Sequence, residues 1–342
     1  MISSNPVPLL FFRVLAERSG KPLGLLIDFG AGDAAGLLPL LGGDALRALA
    51  DGFACFYAPH ADALLQASLA AAGWQAVPAG SLCRVDDRLA AELLPPGTVW
   101  VDGDWCMAAP PKASGAQATS RGQALQMVQL VAADADTHEI EALLRRDPTL
   151  SYNLLRLVNS LGMGSGRRIT SFSQALMMLG RQQLRRWLNL MLFAARQDDV
   201  RSAMLLARVA LRARALELLA KAGGMDKNSQ EQGFMTGMFS LLGILFGMPL
   251  AEVLAPLALG EAVHAALLRR DGELGALLRL FETAERGDLD SVAGQLAQLQ
   301  IAVDDFNAAM LDAAGWMQGT MRGTQGQPQG QTQGQTQGQT HG

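Results

Sequence analysis

The strongest constraint on the fold is a break at residues 108–115, which read Ala-Ala-Pro-Pro-Lys-Ala-Ser-Gly. Prolines fix the backbone and cannot continue a helix, so this stretch predicts a boundary between two folded units. Before the boundary, short apolar runs alternate with Ala/Leu-rich helical patterns, which predicts a small α/β domain over residues 1–111 with parallel strands. About 110 residues are too few for a complete barrel of eight strand-helix units, which needs about 250. The predicted strands are at residues 23–29, 53–57, 74–77 and 98–101.

After the boundary, every strong pattern is helical. Asp147 and Pro148 form an N-cap followed by proline at the first helical position, and apolar residues then recur at helical spacing. We expect at least eight helices in one all-α domain over residues 112–318. Five of the later helices are predicted at residues 203–220, 233–247, 261–268, 274–284 and 302–317.

Residues 319–342 repeat Gly, Gln and Thr and hold no aromatic or β-branched aliphatic residue that could build a core. They are predicted to be disordered. The expected fold class is therefore α+β multidomain, with a small α/β domain, an all-α domain and a disordered tail.

The composition limits the class of protein. Among 342 residues, 28 Lys and Arg face 32 Asp and Glu, and this balance excludes a wholly basic nucleic-acid coat. Three scattered cysteines lack zinc or redox spacing and the N-terminus lacks a signal-peptide pattern, so we expect a cytoplasmic protein. The apolar stretch at residues 232–251 is interrupted by Pro249 before it reaches the roughly 20 residues of a membrane span, so we expect a core helix and no membrane contact.

Positive charge is concentrated in residues 145–214, which hold 13 basic and 3 acidic residues. Such a stretch forms either an anion-binding surface or an arginine-rich face that the acidic helices after it neutralise, and we favour neutralisation. The stretch is still the best candidate for a binding surface, because guanidinium groups match phosphate oxygens. The candidate binding residues are Arg145, Arg146, Asn153, Asn159, Arg167, Arg168, Arg181, Arg185 and Arg186.

Catalytic patterns are missing from the sequence. The four histidines are isolated, so no His/Asp cluster can hold divalent ions, and neither a Gly-x-Ser-x-Gly elbow nor a phosphate loop occurs. We therefore predict that the chain is not an enzyme and has no catalytic residues, no metal and no cofactor.

Three segments carry a family resemblance: Leu143 to Ser160, Arg168 to Leu176, and Leu179 to Trp187. In order and spacing they resemble the HDOD domain, a bacterial signalling relative of the HD phosphohydrolases, over residues 117–316. The resemblance places Ser240 and Leu241 where HD enzymes have the metal-binding His-Asp dipeptide. It therefore implies a degenerate metal site that has lost its chemistry.

The N-terminal region resembles part of an EAL domain, the cyclic di-GMP phosphodiesterase type that precedes HDOD in some members. Residues 26–32, Leu-Ile-Asp-Phe-Gly-Ala-Gly, are similar to the Asp-Asp-Phe-Gly-Thr-Gly loop of EAL enzymes, with Ile27 in place of the first aspartate. Residues 101–110 are loosely like the closing segment of that barrel. Both descent from an EAL domain and chance agreement stay open. Descent would imply a truncated barrel without phosphodiesterase activity.

These observations predict a non-catalytic signal-transduction regulator whose HDOD domain is a protein-interaction scaffold in a cyclic di-GMP or two-component pathway. The expected partner is a sensor kinase or a component of a diguanylate-cyclase pathway. The alternative is a nucleotide-binding or nucleic-acid-binding regulator that uses the surface of residues 145–214, with steep salt dependence. We expect that changing Arg167, Arg168, Arg185 and Arg186 to Glu leaves the fold intact and alters the choice of partner.

Overall fold

A computed structural model describes residues 7–59, 61–110, 199–257 and 259–324, together with isolated positions between 126 and 193. The predicted helices that precede residue 199 lie outside these ranges. So do residues 325–342 of the predicted tail.

A six-stranded mixed sheet forms the N-terminal region, in the order β4-β3-β2-β1-β6-β5. Strand β1 is antiparallel to both of its neighbours, and the other pairs are parallel, so five strands run in one direction. The expectation of parallel strands is therefore wrong for β1. That strand is buried on both faces except at Arg13 and Glu17, so no polar alternation marked it in the sequence. The strands are β1 (Leu10–Glu17), β2 (Pro22–Phe29), β3 (Ala54–Tyr57), β4 (Gln75–Ala76), β5 (Leu82–Arg84) and β6 (Trp100–Asp102).

Short helices connect the parallel strands. Helices α1 (Leu38–Leu41) and α2 (Asp44–Ala50) lie between β2 and β3, and α3 (Ala63–Ala71) lies between β3 and β4. Asp62 begins α3, because its carboxylate accepts a hydrogen bond from the Leu64 amide at 2.8 Å. An α/β region is thus confirmed before residue 111.

The C-terminal part is helical, as predicted. The apolar period at residues 233–247 is divided between two helices, and the first of them ends at Phe239. The second ends before Gly247, which adopts a left-handed conformation. In the described part of the chain, no helix is long and apolar enough to span a bilayer. The helices are α4 (Ser202–Ala222), α5 (Lys227–Phe239), α6 (Leu242–Phe246), α7 (Leu250–Leu254), α8 (Glu261–Arg269), α9 (Gly272–Glu285), α10 (Leu289–Gln298) and α11 (Val303–Thr324).

Helix α11 extends into the predicted tail. Residues 319–324 continue the helix, and Thr320 and Met321 are fully buried. The helix therefore passes the predicted boundary at residue 319. A composition rich in Gly and Thr did not prevent this, because the last turn packs on the same core as the rest of α11.

The sheet and the helices share one hydrophobic core. The amide of Leu10 in β1 donates a hydrogen bond to the Asn307 Oδ1 of α11 at 2.9 Å, and Asn307 Nδ2 donates to the Pro8 carbonyl at 2.9 Å. The ring of Phe11 meets that of Phe281 in α9 edge to face, with centroids 5.5 Å apart. The sheet and the described helices after residue 199 therefore pack directly on each other.

Candidate ligand-binding site at the sheet edge

A cavity of about 710 Å³ opens where the parallel strands end. Because five strands run in one direction, the ends of β2, β3 and β5 and the start of β1 meet at this edge. Ligands of open α/β sheets bind at this kind of edge. We call this cavity the sheet-edge cavity. Its walls are Pro8 and Arg13, residues 27–32 at the end of β2 and just after it, Ala34, Ala58, Ala61, Asp62, Leu65, Arg84, and residues 285–290 from the end of α9 to the start of α10.

An ion-pair network between strands forms the floor of the cavity. Arg13 of β1 donates two hydrogen bonds to Asp28 of β2, from Nε at 2.5 Å and from Nη2 at 3.0 Å, and its Nη1 donates to Asp102 of β6. Burial lowers the pKa of Arg13, but the hydrogen bonds and charges of Asp28 and Asp102 outweigh it and raise that pKa above its ordinary value. Asp28 thus has both oxygens occupied by one guanidinium group.

Arg84 lies on the rim of the cavity. Its side chain is 58% exposed and pairs with Asp86 at 2.9 Å, and its Nη1 lies 4.0 Å from the Asp102 carboxylate. The hydrogen bond from Arg84 lowers the pKa of Asp86. Because Asp86 binds Nε and Nη2, Nη1 is the part of this exposed guanidinium that can bind a ligand in the cavity.

A second, smaller cavity of about 40 Å³ lies behind the first, between β1 and α4. It shares Arg13, Arg84 and Glu285 with the sheet-edge cavity. Arg208 of α4 closes it and donates to Asp104 Oδ1 at 2.8 Å and to the Gly103 carbonyl at 2.7 Å. Its volume is suited to a few water molecules.

Gly103 permits the turn that places this carbonyl and Asp104. Its φ is +102°, and a Cβ there would lie 2.3 Å from the Val85 carbonyl oxygen. Only glycine fits this turn, because a side chain would meet rigid backbone.

The turn between α9 and α10 contributes the helical wall of the sheet-edge cavity. Glu285 accepts hydrogen bonds from Nε and Nη2 of Arg212, which has only 3% of its surface exposed. Arg212 Nη1 in turn donates to Ser240 Oγ at 2.8 Å. A chain of side chains therefore joins the cavity wall to Ser240 in the helical core.

The predicted degenerate metal site contains Ser240 and Leu241. The Ser240 hydroxyl also donates to the Gly237 carbonyl at 2.7 Å, and Leu241 is 3% exposed. The Arg212 guanidinium thus brings a positive charge to Ser240. Within residues 7–110 and 199–324, apart from His60 and Ala258, no three His, Cys, Asp or Glu side chains lie close enough to hold a metal ion.

The structure describes one of the nine candidate binding residues, Arg186. This residue is 8% exposed and pairs with Glu217 at 2.7 Å and with Glu231, so it does not present its charge at the surface. The other eight candidates, Arg145, Arg146, Asn153, Asn159, Arg167, Arg168, Arg181 and Arg185, lie outside the described residues.

Later arginines of the stretch at residues 145–214 follow the same pattern as Arg186. Arg201, Arg208, Arg212 and Arg214 pair with Asp199, Asp104, Glu285 and Asp312, respectively. For these described positions, acidic residues of the same chain neutralise the positive charge. The later acidic partners that the prediction expects are Glu217, Glu231, Glu285 and Asp312, whereas Asp104 and Asp199 precede α4.

Sequence reasoning did not identify the sheet-edge cavity. It noted Asp28, but it found neither Arg13 nor Arg84, nor the turn at residues 285–290. One signal was available, since Arg13 is the single basic residue within the apolar run Leu10 to Ala16. A charge in a strand that is buried on both faces needs a partner, so it indicates a polar site.

Comparison with known proteins identifies the helical part. Residues 121–262 match the family model of the HDOD domain. The chain contains an HDOD domain. This confirms the resemblance for that part, whereas nothing in the comparison shows an EAL-like N-terminal region.

Two curated relatives align with about half of the chain. The first, from Vibrio cholerae serotype O1, is named cyclic di-GMP phosphodiesterase CdgJ and is 32% identical over 185 residues, which cover 54% of this chain and 42% of the relative. The second, from Bacillus subtilis, is named uncharacterized protein YuxH and is 28% identical over 178 residues, which cover 51% of this chain and 42% of the relative. The aligned part therefore spans less than half of either relative.

A solved crystal structure of a Shewanella amazonensis protein is also similar. Its sequence identity is 15% and its TM-score is 0.43, over 59% of this chain and 92% of that chain.

The prediction that the chain is not an enzyme is contradicted. The Vibrio cholerae relative is named a phosphodiesterase, and this points toward enzymatic activity. The prediction relied on the absence of metal ligands, above all on Ser240 and Leu241 at the place where the resemblance expects a His-Asp dipeptide. The absence of that dipeptide bears on one kind of metal chemistry only.

Proposed function

We propose that this chain is a cyclic di-GMP signalling protein, that the sheet-edge cavity receives the cyclic dinucleotide, and that the HDOD domain contacts the signalling partner. The observation that carries the proposal is the sheet-edge cavity itself, where basic and acidic side chains surround a space of about 710 Å³. The identity to a relative named a cyclic di-GMP phosphodiesterase supports the choice of ligand.

The chemistry of the cavity suits a cyclic dinucleotide. Its volume lies within the range of roughly 300 to 1,000 Å³ that is typical of small-molecule sites. Such a ligand presents two anionic phosphodiesters, which match the exposed guanidinium of Arg84, and two purine bases, which can contact apolar residues such as Leu65 and Leu289. Arg13 and Asp28 neutralise each other and hold the floor rigid.

In this proposal, the HDOD domain is an interaction scaffold for a sensor kinase or a component of a diguanylate-cyclase pathway. Glu285 lines the cavity and pairs with Arg212, which reaches Ser240. Ligand contact with the turn at residues 285–290 would therefore act on the helical core directly. A truncated EAL origin for residues 1–111 agrees with a ligand site at the strand ends and stays part of the proposal.

The first test measures binding of cyclic di-GMP to the whole chain by isothermal titration calorimetry. Arg84→Gln removes the exposed guanidinium, and we expect at least about a tenfold loss of affinity, because a charge-assisted hydrogen bond contributes about 1.5–3 kcal/mol. Arg47→Gln is the matched control: Arg47 is 56% exposed and pairs with Asp44 at 3.2 Å, but it lies outside the cavity. Its affinity should equal that of the wild type.

The proposal is wrong if the wild type binds no cyclic di-GMP at submillimolar concentration, or if both variants bind as the wild type does. The same samples, incubated with magnesium or manganese, show by chromatography whether the cyclic ligand is hydrolysed to a linear dinucleotide. That measurement tests the enzymatic activity to which the relative's name points.

A further inference from the structure

The carboxylates around the sheet-edge cavity differ in what they already bind. Asp28 has both oxygens engaged by Arg13, and Glu285 has both engaged by Arg212. Asp62 and Asp288 each use Oδ1 to cap a helix, through the amides of Leu64 and Ser291. These four carboxylates are therefore wholly or partly committed to the fold.

Asp290 is different. It lines the cavity, its side chain is exposed, and among the described residues it accepts no hydrogen bond and forms no ion pair. Neither of its oxygens is engaged within the described part of the chain.

The position of Asp290 is well defined by its neighbours. Leu289 is buried, with 6% of its surface exposed, and Asp288 caps the helix through the Ser291 amide at 3.1 Å. Asp290 thus lies in the first turn of α10, where the helix dipole favours a negative charge. A backbone that is fixed in this way favours recognition of a ligand, because little backbone freedom is lost on binding.

We infer that Asp290 determines the specificity of the cavity by binding the edge of a guanine base; this rests on the proposed function. Guanine presents two donors side by side, N1–H and the N2 amino group, and a carboxylate with two free oxygens accepts both. Adenine presents an acceptor, N1, at the same edge, so the carboxylate repels it and an acceptor is left unpaired. The class of ligand is therefore a guanine-containing cyclic dinucleotide rather than an adenine-containing one.

Calorimetry with cyclic di-GMP and cyclic di-AMP tests this inference on the full chain. We expect the wild type to bind cyclic di-GMP at least about tenfold more tightly than cyclic di-AMP. Asp290→Asn keeps the shape of the side chain but replaces one acceptor with a donor. It should lower the affinity for cyclic di-GMP about tenfold, while the affinity for cyclic di-AMP stays the same or rises. The control, Asp305→Asn, changes an exposed acidic residue in the first turn of α11, away from the cavity, and should change neither affinity.

The results separate the two claims. If the wild type binds both dinucleotides equally and Asp290→Asn changes neither, the role of Asp290 is wrong while the cavity remains a dinucleotide site. If Asp290→Asn weakens both ligands by the same factor, Asp290 does not read the base and the inference is also wrong. If the wild type binds neither ligand, the proposed function fails and the inference fails with it. Thermal unfolding of each variant at the wild-type temperature shows that the fold is intact.

Discussion

Arg186 offers the sharpest test of how the acidic helices neutralise the basic stretch. Its guanidinium donates to Glu217 of α4 at 2.7 and 3.3 Å and to Glu231 of α5 at 3.2 Å, and it lies 4.2 Å from the centre of the Phe234 ring. Burial lowers the pKa of Arg186, but the hydrogen bonds and charges of Glu231 and Glu217 outweigh it and raise that pKa. The charge is thus part of the packing between helices.

The magnitude follows from the burial of the partners. The side chains of Arg186, Glu217 and Glu231 are 10%, 15% and 22% exposed. Removing one partner of a buried pair lowers the free energy of unfolding by about 3–5 kcal/mol. Because these side chains keep some exposure, we expect Arg186→Met to lower it by about 3 kcal/mol. In a domain of this size, that loss corresponds to a melting temperature lower by about 6–12 °C. Arg186→Glu should lower the stability further, because it places a third carboxylate beside those of Glu217 and Glu231.

The assay is thermal unfolding followed by circular dichroism, with urea unfolding as a second measure. Arg269→Met is the control, because Arg269 is 54% exposed and its partners Glu261 and Asp271 are 82% and 60% exposed. An exposed pair contributes at most about 1 kcal/mol. If Arg186→Glu melts within about 2 °C of the wild type, the buried network does not stabilise the fold. For Arg186, this buried network favours a loss of stability on charge reversal, in place of the intact fold that the sequence predicts.

Two further predictions concern close packing and pH. Gly237→Leu should prevent α4 and α5 from packing, because a Cβ there would lie 2.5 Å from the Ala213 Cα. We expect this variant to aggregate or to lose cooperative unfolding. The control, Gly294→Leu, has open space around it and should unfold like the wild type. Burial raises the pKa of Cys55 from 9.0 to about 12, so between these values the folded state holds a proton that the unfolded state releases, and stability falls as the pH rises. Cys55→Ala should flatten this decline, which reaches at most about 1.4 kcal/mol per pH unit, and an equal slope in both proteins would contradict the assignment.

Local patterns predicted much of the architecture. The apolar runs at residues 23–29 and 53–57 are strands, and the helical periods at residues 203–220 and 274–284 are helices, because a short apolar run favours a buried strand whereas a longer periodic stretch favours a helix. β1 was missed, although Leu10 to Ala16 is also an apolar run that only Arg13 interrupts. The end of α11 was placed too early, since composition does not report that Met321 is buried against the core.

The sequence alone determined several of the helices and strands and the match of residues 121–262 to the HDOD domain, since periodicity, capping and motif spacing all lie within short stretches. Only the tertiary structure decided the site. Arg13 lies in β1 and Glu285 lies at the end of α9, in a different layer, yet the packing of α9 on β1 brings both to the sheet-edge cavity. Pairing between distant charges depends on which buried surfaces meet, and no local pattern records that.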